Sequence, residues 1–308
     1  MAGSNPPTTR FDHTWGDWIG GSADWPSGFA QPGYNPPEPS HSRNSFVYRP
    51  AAASGNSKGQ VIACWHPTGV NSGTGLRGSF VCDLDTGLWT RTANLRPSHG
   101  SAVGGVSYHA GMDVVVGFNQ ESSGATGALD FLACATMTWT RRTGLGSLNA
   151  RIDSTSFIVG DLFVFVDHEL AANAVPFRLW AISISKLIAG TAQTWQQLTL
   201  STSSWPTTAA GLTNMVGFER CPINGSLYAT NLVAGDNRVW RLIPPAADSD
   251  TTGLLSGTWT MEDEALAGAS KVAGLYDYSR LRWAGDGFLW TADGTSGTVQ
   301  LMRPASTM

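Results

Sequence analysis

The 308-residue chain is poor in charge and has no long apolar run. Asp, Glu, Lys and Arg make up 14% of it, against roughly 25% in an average soluble domain. The net charge is −4, so no basic field exists that would attract a nucleic acid backbone. No segment approaches the ~20 apolar residues of a membrane span, and the first residues lack the basic start and apolar core of a secretory signal peptide. We therefore predict no nucleic-acid partner, no membrane span and no secretory export.

Catalytic and metal-binding motifs are also missing. The sequence contains no GxSxG, HExxH, P-loop or dinucleotide-binding pattern. Its four cysteines show neither CxxC pairs nor metal-ligand spacing, so we predict buried free thiols, with a disulfide or a metal site as the alternative. His66 and His168 follow equivalent predicted strands and could share a metal, but ordinary loop histidines explain them as well. We predict no metal, no cofactor and no enzymatic activity.

The residues that are abundant, Gly, Ser, Thr and Trp, are typical of a turn-rich all-β protein. Five of the 13 Trp follow Thr or Leu at the end of a short β-like run, namely Trp15, Trp89, Trp139, Trp195 and Trp259. The successive gaps are 74, 50, 56 and 64 residues, and the gap counted around the two chain ends is 64. Similar units that close on themselves predict a ring. These Trp are predicted to pack between the units, with ligand stacking as the alternative.

Three further strand patterns recur between successive Trp of this set. Each pattern is a short β-branched or aromatic run bounded by Gly, Asp, Asn or Pro. Four strands in each of five units predict a five-bladed β-propeller with four antiparallel strands per blade. The fifth unit ends after its third strand, so residues 10–18 around Trp15 are predicted to supply the fourth and to remove a sheet edge.

The predicted organisation has three parts. Residues 1–18 include the strand that closes the ring, residues 19–43 form a Pro-, Gly- and Trp-rich docking arm, and residues 44–304 form the propeller. The predicted blades span 44–92, 93–142, 143–198, 199–262 and 263–304 plus 10–18. A long segment without a strand or helix period needs a reason, and aromatic residues between prolines favour anchoring on a partner. The predicted anchors of the arm are Trp18, Trp25, Phe29 and Tyr34.

The predicted binding surface is the face formed by the long loops. Loops from second to third strands, and from fourth strands to the next first strands, emerge on one face of a propeller. The predicted binding residues, which suit a protein partner or a glycan, are His66, Asn119, Gln120, Glu121, His168 and Trp205. Solvated connections without a binding role are the alternative.

Carboxylates give little support to an enzyme. A glycosidase needs two of them about 5–9.5 Å apart across a cleft. The predicted first strands begin with one, Asp153. Asp113 and Asp161 precede second strands, where hairpin turns favour Asp because its side chain bonds the nearby backbone.

The stretch from residue 83 to residue 103 resembles the junction between two Kelch repeats. Asp83, Trp89, Pro97, His99 and Ala102 follow the order of that family. The family has an Asp near the end of the third strand, a Trp in the fourth, a Pro-containing link and then a Gly-, His- and Ala-rich first strand. The resemblance implies a β-propeller and an adaptor role.

The composition of the chain also resembles that of tailed-bacteriophage virion proteins. It is rich in Gly, Ser, Thr and Ala, is punctuated by Trp, and has only three Lys. This resemblance implies a non-catalytic tail, fibre-attachment or decoration protein, located in the virion and oligomeric within an assembly. Its partners would be other virion proteins or a host surface glycan. A cytoplasmic Kelch-like adaptor or a lectin is the alternative, and a glycosidase or lyase is the least favoured class.

Overall fold

A computed structural model of the chain describes residues 46–64, 80–92, 102–120, 125–126, 128–146, 148–149, 155–167, 178–201, 215–231, 238–265, 280–283, 287–291 and 299–304. Within them the chain is all-β, and three short helices occur in connections between strands. None of these helices is long and apolar enough to cross a membrane. The chain divides into two compact units, of which unit 1 comprises Met1–Ser123 and Ala128–Thr143 and unit 2 comprises Gly124–Gly127 and Gly144–Met308.

The described part of unit 1 holds two four-stranded antiparallel sheets. Sheet 1 consists of β1 (Phe46–Arg49), β2 (Gln60–Ala63), β3 (Phe80–Asp83) and β4 (Leu88–Arg91), with helix α1 (Ala51–Ser54) between β1 and β2. Sheet 2 consists of β5 (Ala102–His109), β6 (Val114–Gln120), β8 (Leu129–Ala133) and β9 (Thr138–Arg142). The two-residue strand β7 (Ala125–Thr126) belongs to unit 2 and pairs with β10 (Leu148–Asn149).

An apolar core joins the two sheets of unit 1. Strand β1 lies against β5. Because successive side chains of a strand point to opposite faces, the paired residues Val47 and Ile62 share the face of sheet 1 that turns towards sheet 2. The core contains Val47, Ile62, Cys64, Val106, Val115, Leu132, Cys134 and Trp139. Removal of this apolar surface from water is the main favourable term that holds sheet 1 on sheet 2.

The described part of unit 2 holds three larger sheets besides the β7–β10 pair. Sheet 3 consists of β11 (Thr155–Val159), β12 (Leu162–Asp167), β13 (Arg178–Ser183) and β14 (Gln196–Gln197), with α2 (Ile184–Ala189) after β13. Sheet 4 consists of β15 (Thr199–Ser201), β16 (Met215–Arg220), β17 (Leu227–Asn231), β18 (Arg238–Ile243) and β19 (Thr258–Ala265), with α3 (Thr251–Ser256) before β19. Sheet 5 consists of β20 (Arg280–Trp283), β21 (Phe288–Thr291) and β22 (Val299–Met302).

Each of the five sheets has an edge strand that starts its run of antiparallel pairs, here called its first strand; these are β1, β5, β11, β16 and β20. First strands lie side by side in unit 2, as they do in unit 1. Strand β11 lies against β16, and β16 lies against β20. One core between sheets 3 and 4 includes Leu162, Val164, Trp240 and Trp259. A second core between sheets 4 and 5 includes Tyr228 and Phe288, whose ring centroids are 4.9 Å apart. Antiparallel sheets that stack through their faces, with first strands side by side, are the arrangement of β-propeller blades.

One segment belongs to two sheets. Gln196 and Gln197 pair with β13 of sheet 3, and after one intervening residue Thr199–Ser201 pairs in parallel with β19 of sheet 4. The Gln196 side-chain amide also donates to the carbonyl of Leu255 in α3, at 3.1 Å. The segment therefore ties sheet 3 to sheet 4, and its strand β15 was not predicted from the sequence.

The all-β class predicted from the sequence is confirmed, but the number of complete blades differs. In the part of the chain that the structure describes, four sheets have at least four strands, whereas sheet 5 has three. The five-bladed form is therefore not shown, because residues 10–18 lie outside the described residues. The four cysteines are buried and none forms a disulfide bond, as predicted. Their positions in or beside apolar strands explain the burial.

Candidate functional site

Most of the predicted binding residues lie outside the described residues. This applies to the loop residues His66, Glu121, His168 and Trp205, to the arm residues Trp18, Trp25, Phe29 and Tyr34, and to Trp15. Asn119 and Gln120 are the last residues of β6, where their backbones pair with Val103 and Ala102 of β5. The structure thus brings these two positions to the end of sheet 2 from which the connection to β8 leaves.

Three of the five predicted packing Trp have described side chains. Trp139 is buried in the core between sheets 1 and 2. Trp259 is buried in the core between sheets 3 and 4, where its indole N–H donates to the carbonyl of Leu254 at 2.9 Å. Trp195 is buried against Phe163 and Phe165 of its own sheet, with ring centroids 6.3 Å apart in both cases. Trp89 is described only by its backbone, which pairs with Cys82.

A partly buried ion pair lies at the opposite end of sheet 2 from Asn119 and Gln120. Asp113, in the β5–β6 hairpin, accepts hydrogen bonds from Nε of Arg49 at 2.7 Å and from Nη2 of Arg49 at 2.5 Å. The Tyr108 hydroxyl donates to the same carboxylate at 2.9 Å. Arg49 also donates to Gln60 and to the carbonyl of Ala53 in α1. This cluster therefore joins β1, β2 and α1 of sheet 1 to the first hairpin of sheet 2.

The ionisation of this cluster follows from the balance between its burial and its hydrogen bonds and charges. Burial alone would raise the pKa of Asp113, but the hydrogen bonds from Arg49 and Tyr108 and the charge of Arg49 hold it below its usual value. Burial, together with the nearby Asp113 carboxylate, raises the pKa of the Tyr108 phenol. The same two causes raise the pKa of the Cys134 thiol to about 12. At neutral pH the cluster therefore holds one cation and one anion, and Cys134 is a thiol and a poor nucleophile.

A second Arg–Asp pair lies in unit 2. Both terminal nitrogens of Arg220, the last residue of β16, donate to Asp248 at 2.6 Å. The hydrogen bonds from Arg220 lower the pKa of Asp248, and the backbone N–H of Gly160 contributes a further bond. Gly160 turns the β11–β12 hairpin with φ +53, and a Cβ atom there would lie 2.0 Å from the Asp248 carbonyl oxygen. Sheet 3 thus meets the β18–β19 connection of sheet 4 where only glycine fits.

Other turn carboxylates are bound by the fold itself. Asp161 accepts hydrogen bonds from the hydroxyls of Ser183 at 2.6 Å and Ser185 at 2.7 Å. Asp85 accepts from the hydroxyl of Ser57, which lowers its pKa. The sequence predicted that Asp113 and Asp161 bond the nearby backbone. Instead, Asp113 bonds the side chains of Arg49 in sheet 1 and Tyr108 in β5. Asp161 bonds Ser183, the last residue of β13, and Ser185 at the start of α2.

Of these carboxylates, Asp113 binds a side chain of another sheet, whereas Asp85, Asp161 and Asp248 bind side chains of their own sheets. Among the described residues, no group of three or more His, Cys, Asp and Glu could hold a metal ion. Arg49, Arg220 and Asp248 were not predicted from the sequence. A weak signal exists, since each Arg ends a first strand and is followed within two residues by Pro, at Pro50 and Pro222.

Comparison with known proteins adds a similarity of structure. No protein family and no curated protein matches the chain by sequence. A solved structure titled "Structure of YjhT" matches 75% of this chain and 68% of its own, with a TM-score of 0.42 and 12% sequence identity.

Proposed function

We propose that the chain is a non-catalytic β-propeller that serves as a structural and interaction module. The observation that supports this most directly is that three turn and loop carboxylates are bound within the fold. Asp113, Asp161 and Asp248 are all held by donors of the protein itself. An acid–base pair for glycoside hydrolysis would instead need carboxylates that face a substrate across a cleft.

The proposed partner is another virion protein or a host surface glycan, bound in a bacteriophage tail, fibre-attachment or decoration complex. The geometry of sheet 2 supports a separation of binding from packing. Asn119 and Gln120 end β6, whereas Asp113 directly precedes its first residue, Val114. At ~3.3 Å per residue, Val114 and Gln120 are about 20 Å apart. The proposed binding end can therefore vary without disturbing the Arg49–Asp113 ion pair.

The proposed complete fold is a five-bladed ring with residues 10–18 as the fourth strand of sheet 5. The second face of sheet 1 supports this proposal. Val61 and Cys82 are paired neighbours on the face opposite Val47 and Ile62, and Tyr48 on that face is 52% exposed. An apolar face on both sides of a sheet is typical of a blade with neighbours on both sides. Deletion of residues 1–18 should lower the melting temperature sharply, whereas deletion of residues 1–9 should not.

The proposed binding end is tested with a triple variant, Asn119→Ala, Gln120→Ala and Trp205→Ala. Purified wild-type chain would be applied to a glycan array, and particles from the source would be fractionated and probed for the chain. We expect the triple variant to lose particle association or glycan capture without a change in melting temperature. The matched control, Thr136→Ala, alters the exposed turn at the other end of sheet 2 and should bind as wild type.

The same experiment separates the alternatives. A wild-type chain that binds glycan but never fractionates with particles would favour a lectin. Capture of cellular proteins alone would favour a Kelch-like adaptor. Release of sugar products from the array would contradict the non-catalytic proposal and favour a glycosidase or lyase.

A further inference from the structure

The turn between β16 and β17 contains the single Asn-Gly dipeptide of the chain, Asn224–Gly225. In such a pair the backbone nitrogen of Gly can attack the Asn side-chain amide carbon, because Gly has no side chain to hinder the approach. The new C–N bond forms a five-membered succinimide as ammonia leaves. Water then opens the ring to give aspartate or isoaspartate. The dipeptide alone would therefore mark a site of spontaneous deamidation.

The structure holds every reacting group of this turn away from that reaction. The attacking nitrogen of Gly225 donates its hydrogen to the carbonyl of Cys221 at 2.9 Å. The Asn224 amide is fixed at both ends, since its nitrogen donates to the Tyr228 hydroxyl at 2.9 Å and its oxygen accepts from the backbone N–H of Ser226 at 3.0 Å. Tyr228 is fully buried, so its hydroxyl is a fixed partner. Attack by the Gly225 nitrogen on the Asn224 amide requires the Gly225–Cys221 hydrogen bond to break and the Asn224 side chain to rotate.

We propose that Asn224–Gly225 is a guarded deamidation site, meaning that the hydrogen bonds of the folded turn hold its reacting groups apart. The site reacts only when this turn opens. The products would change the surroundings of the turn. Aspartate would replace the donor that faces Tyr228 with an acceptor, and isoaspartate would lengthen the main chain by one carbon between residues 224 and 225. The carbonyl of Gly225 accepts from Nε of Arg220 at 3.2 Å, and the same Arg220 holds Asp248. Deamidation would therefore loosen the Arg220–Asp248 pair.

The test follows the conversion of residue 224 in the full chain at mildly alkaline pH. Peptide mapping by mass spectrometry, with detection of isoaspartate, gives the rate. A synthetic peptide of residues 219–229 gives the unguarded rate in the same buffer. The hydrogen bond of Gly225 and the two of the Asn224 amide must break for attack, so the folded chain should convert about ten-fold or more slowly than the peptide. This comparison needs no variant and decides the main claim.

Two variants test the guard itself. Tyr228→Phe removes the hydroxyl that holds the Asn224 amide and should speed conversion several-fold. Tyr108→Phe removes a hydroxyl in unit 1 that does not touch this turn, and it should leave the rate unchanged. The proposal is overturned if wild-type chain converts as fast as the peptide. It is also overturned if Tyr108→Phe speeds conversion as much as Tyr228→Phe, because opening would then be global.

Discussion

The Arg49–Asp113 pair of unit 1 and the Arg220–Asp248 pair of unit 2 share a chemistry and differ in their surroundings. Both are two-point guanidinium–carboxylate contacts, with distances of 2.5 and 2.7 Å in the first and 2.6 Å twice in the second. The side chains of the first pair are 8% and 27% exposed, and those of the second are 37% and 44% exposed. Although their bond lengths are similar, the two pairs should contribute differently to stability, because water competes with and screens the second pair far more.

The two pairs also join neighbouring sheets by different routes. Arg49 reaches directly from the end of β1 to the first hairpin of sheet 2. Arg220 binds an Asp of its own sheet, and that residue in turn meets the first hairpin of sheet 3 at Gly160. The direct route makes the ion pair itself part of the sheet–sheet contact. In the indirect route the close backbone approach at Gly160 joins the two sheets, and the ion pair only holds the β18–β19 connection in place.

The largest expected loss of stability comes from removing a buried Trp, and one such Trp in each unit allows the two units to be compared. Trp139→Ala in unit 1 and Trp259→Ala in unit 2 should each lower the free energy of unfolding by about 3–5 kcal/mol, because each leaves a large cavity between two sheets. Denaturant unfolding measures the loss. A change in binding by Trp139→Ala, with unchanged unfolding, would instead make Trp139 a binding residue.

Asp113→Asn should be the next most damaging change, at about 3 kcal/mol, because it leaves the buried Arg49 charge without its counter-ion. Asn tolerates the positive φ of 50° at this position, so backbone strain is not added. Thiol labelling locates the effect, since Cys64, Cys82 and Cys134 lie in unit 1 and Cys221 lies in unit 2. Labelling in mild denaturant should quicken for the first three and not for Cys221.

The control for Asp113→Asn is the double variant Arg49→Met with Asp113→Asn. It removes both charges and should recover part of the lost stability. Equal losses in the single and double variants would show that the charge of Arg49 is not what the carboxylate compensates.

At acid pH the wild type should no longer be more stable to unfolding than Asp113→Asn. The pKa of Asp113 is lowered in the folded chain. Its contribution to stability is therefore complete above the unfolded pKa, about 3.9, and is lost as the pH falls through the folded value. The difference in unfolding free energy between wild type and Asp113→Asn should stay constant from neutral pH to about pH 5 and narrow below about pH 4. A difference that widens in acid would contradict the ion pair.

The strands could be predicted from the sequence, whereas the ion pairs could not. Alternating apolar residues and turn residues are local signals, so the strands around Val115, Phe165 and Trp240 were recognisable. The partner of Arg49 lies 64 residues away, and nothing local to either residue encodes that meeting. Strand β15 was missed because three residues carry no period, and its pairing depends on where β19 lies.

The smallest expected effect lies in the exposed pair. Arg220→Gln should cost less than about 1 kcal/mol, because both side chains of the Arg220–Asp248 pair are more than a third exposed and exchange their contact for water. That small cost should vanish in 1 M salt, where the screening length is ~3 Å, whereas the cost of Asp113→Asn should persist. The measurement is denaturant unfolding of both variants at low and high salt. If Arg220→Gln proves as costly as Asp113→Asn, burial is not what distinguishes the two pairs. The loss would then be explained by the β18–β19 connection. Without Arg220 this connection would no longer be held in place, and the contact of Asp248 with Gly160 between sheets 3 and 4 would weaken.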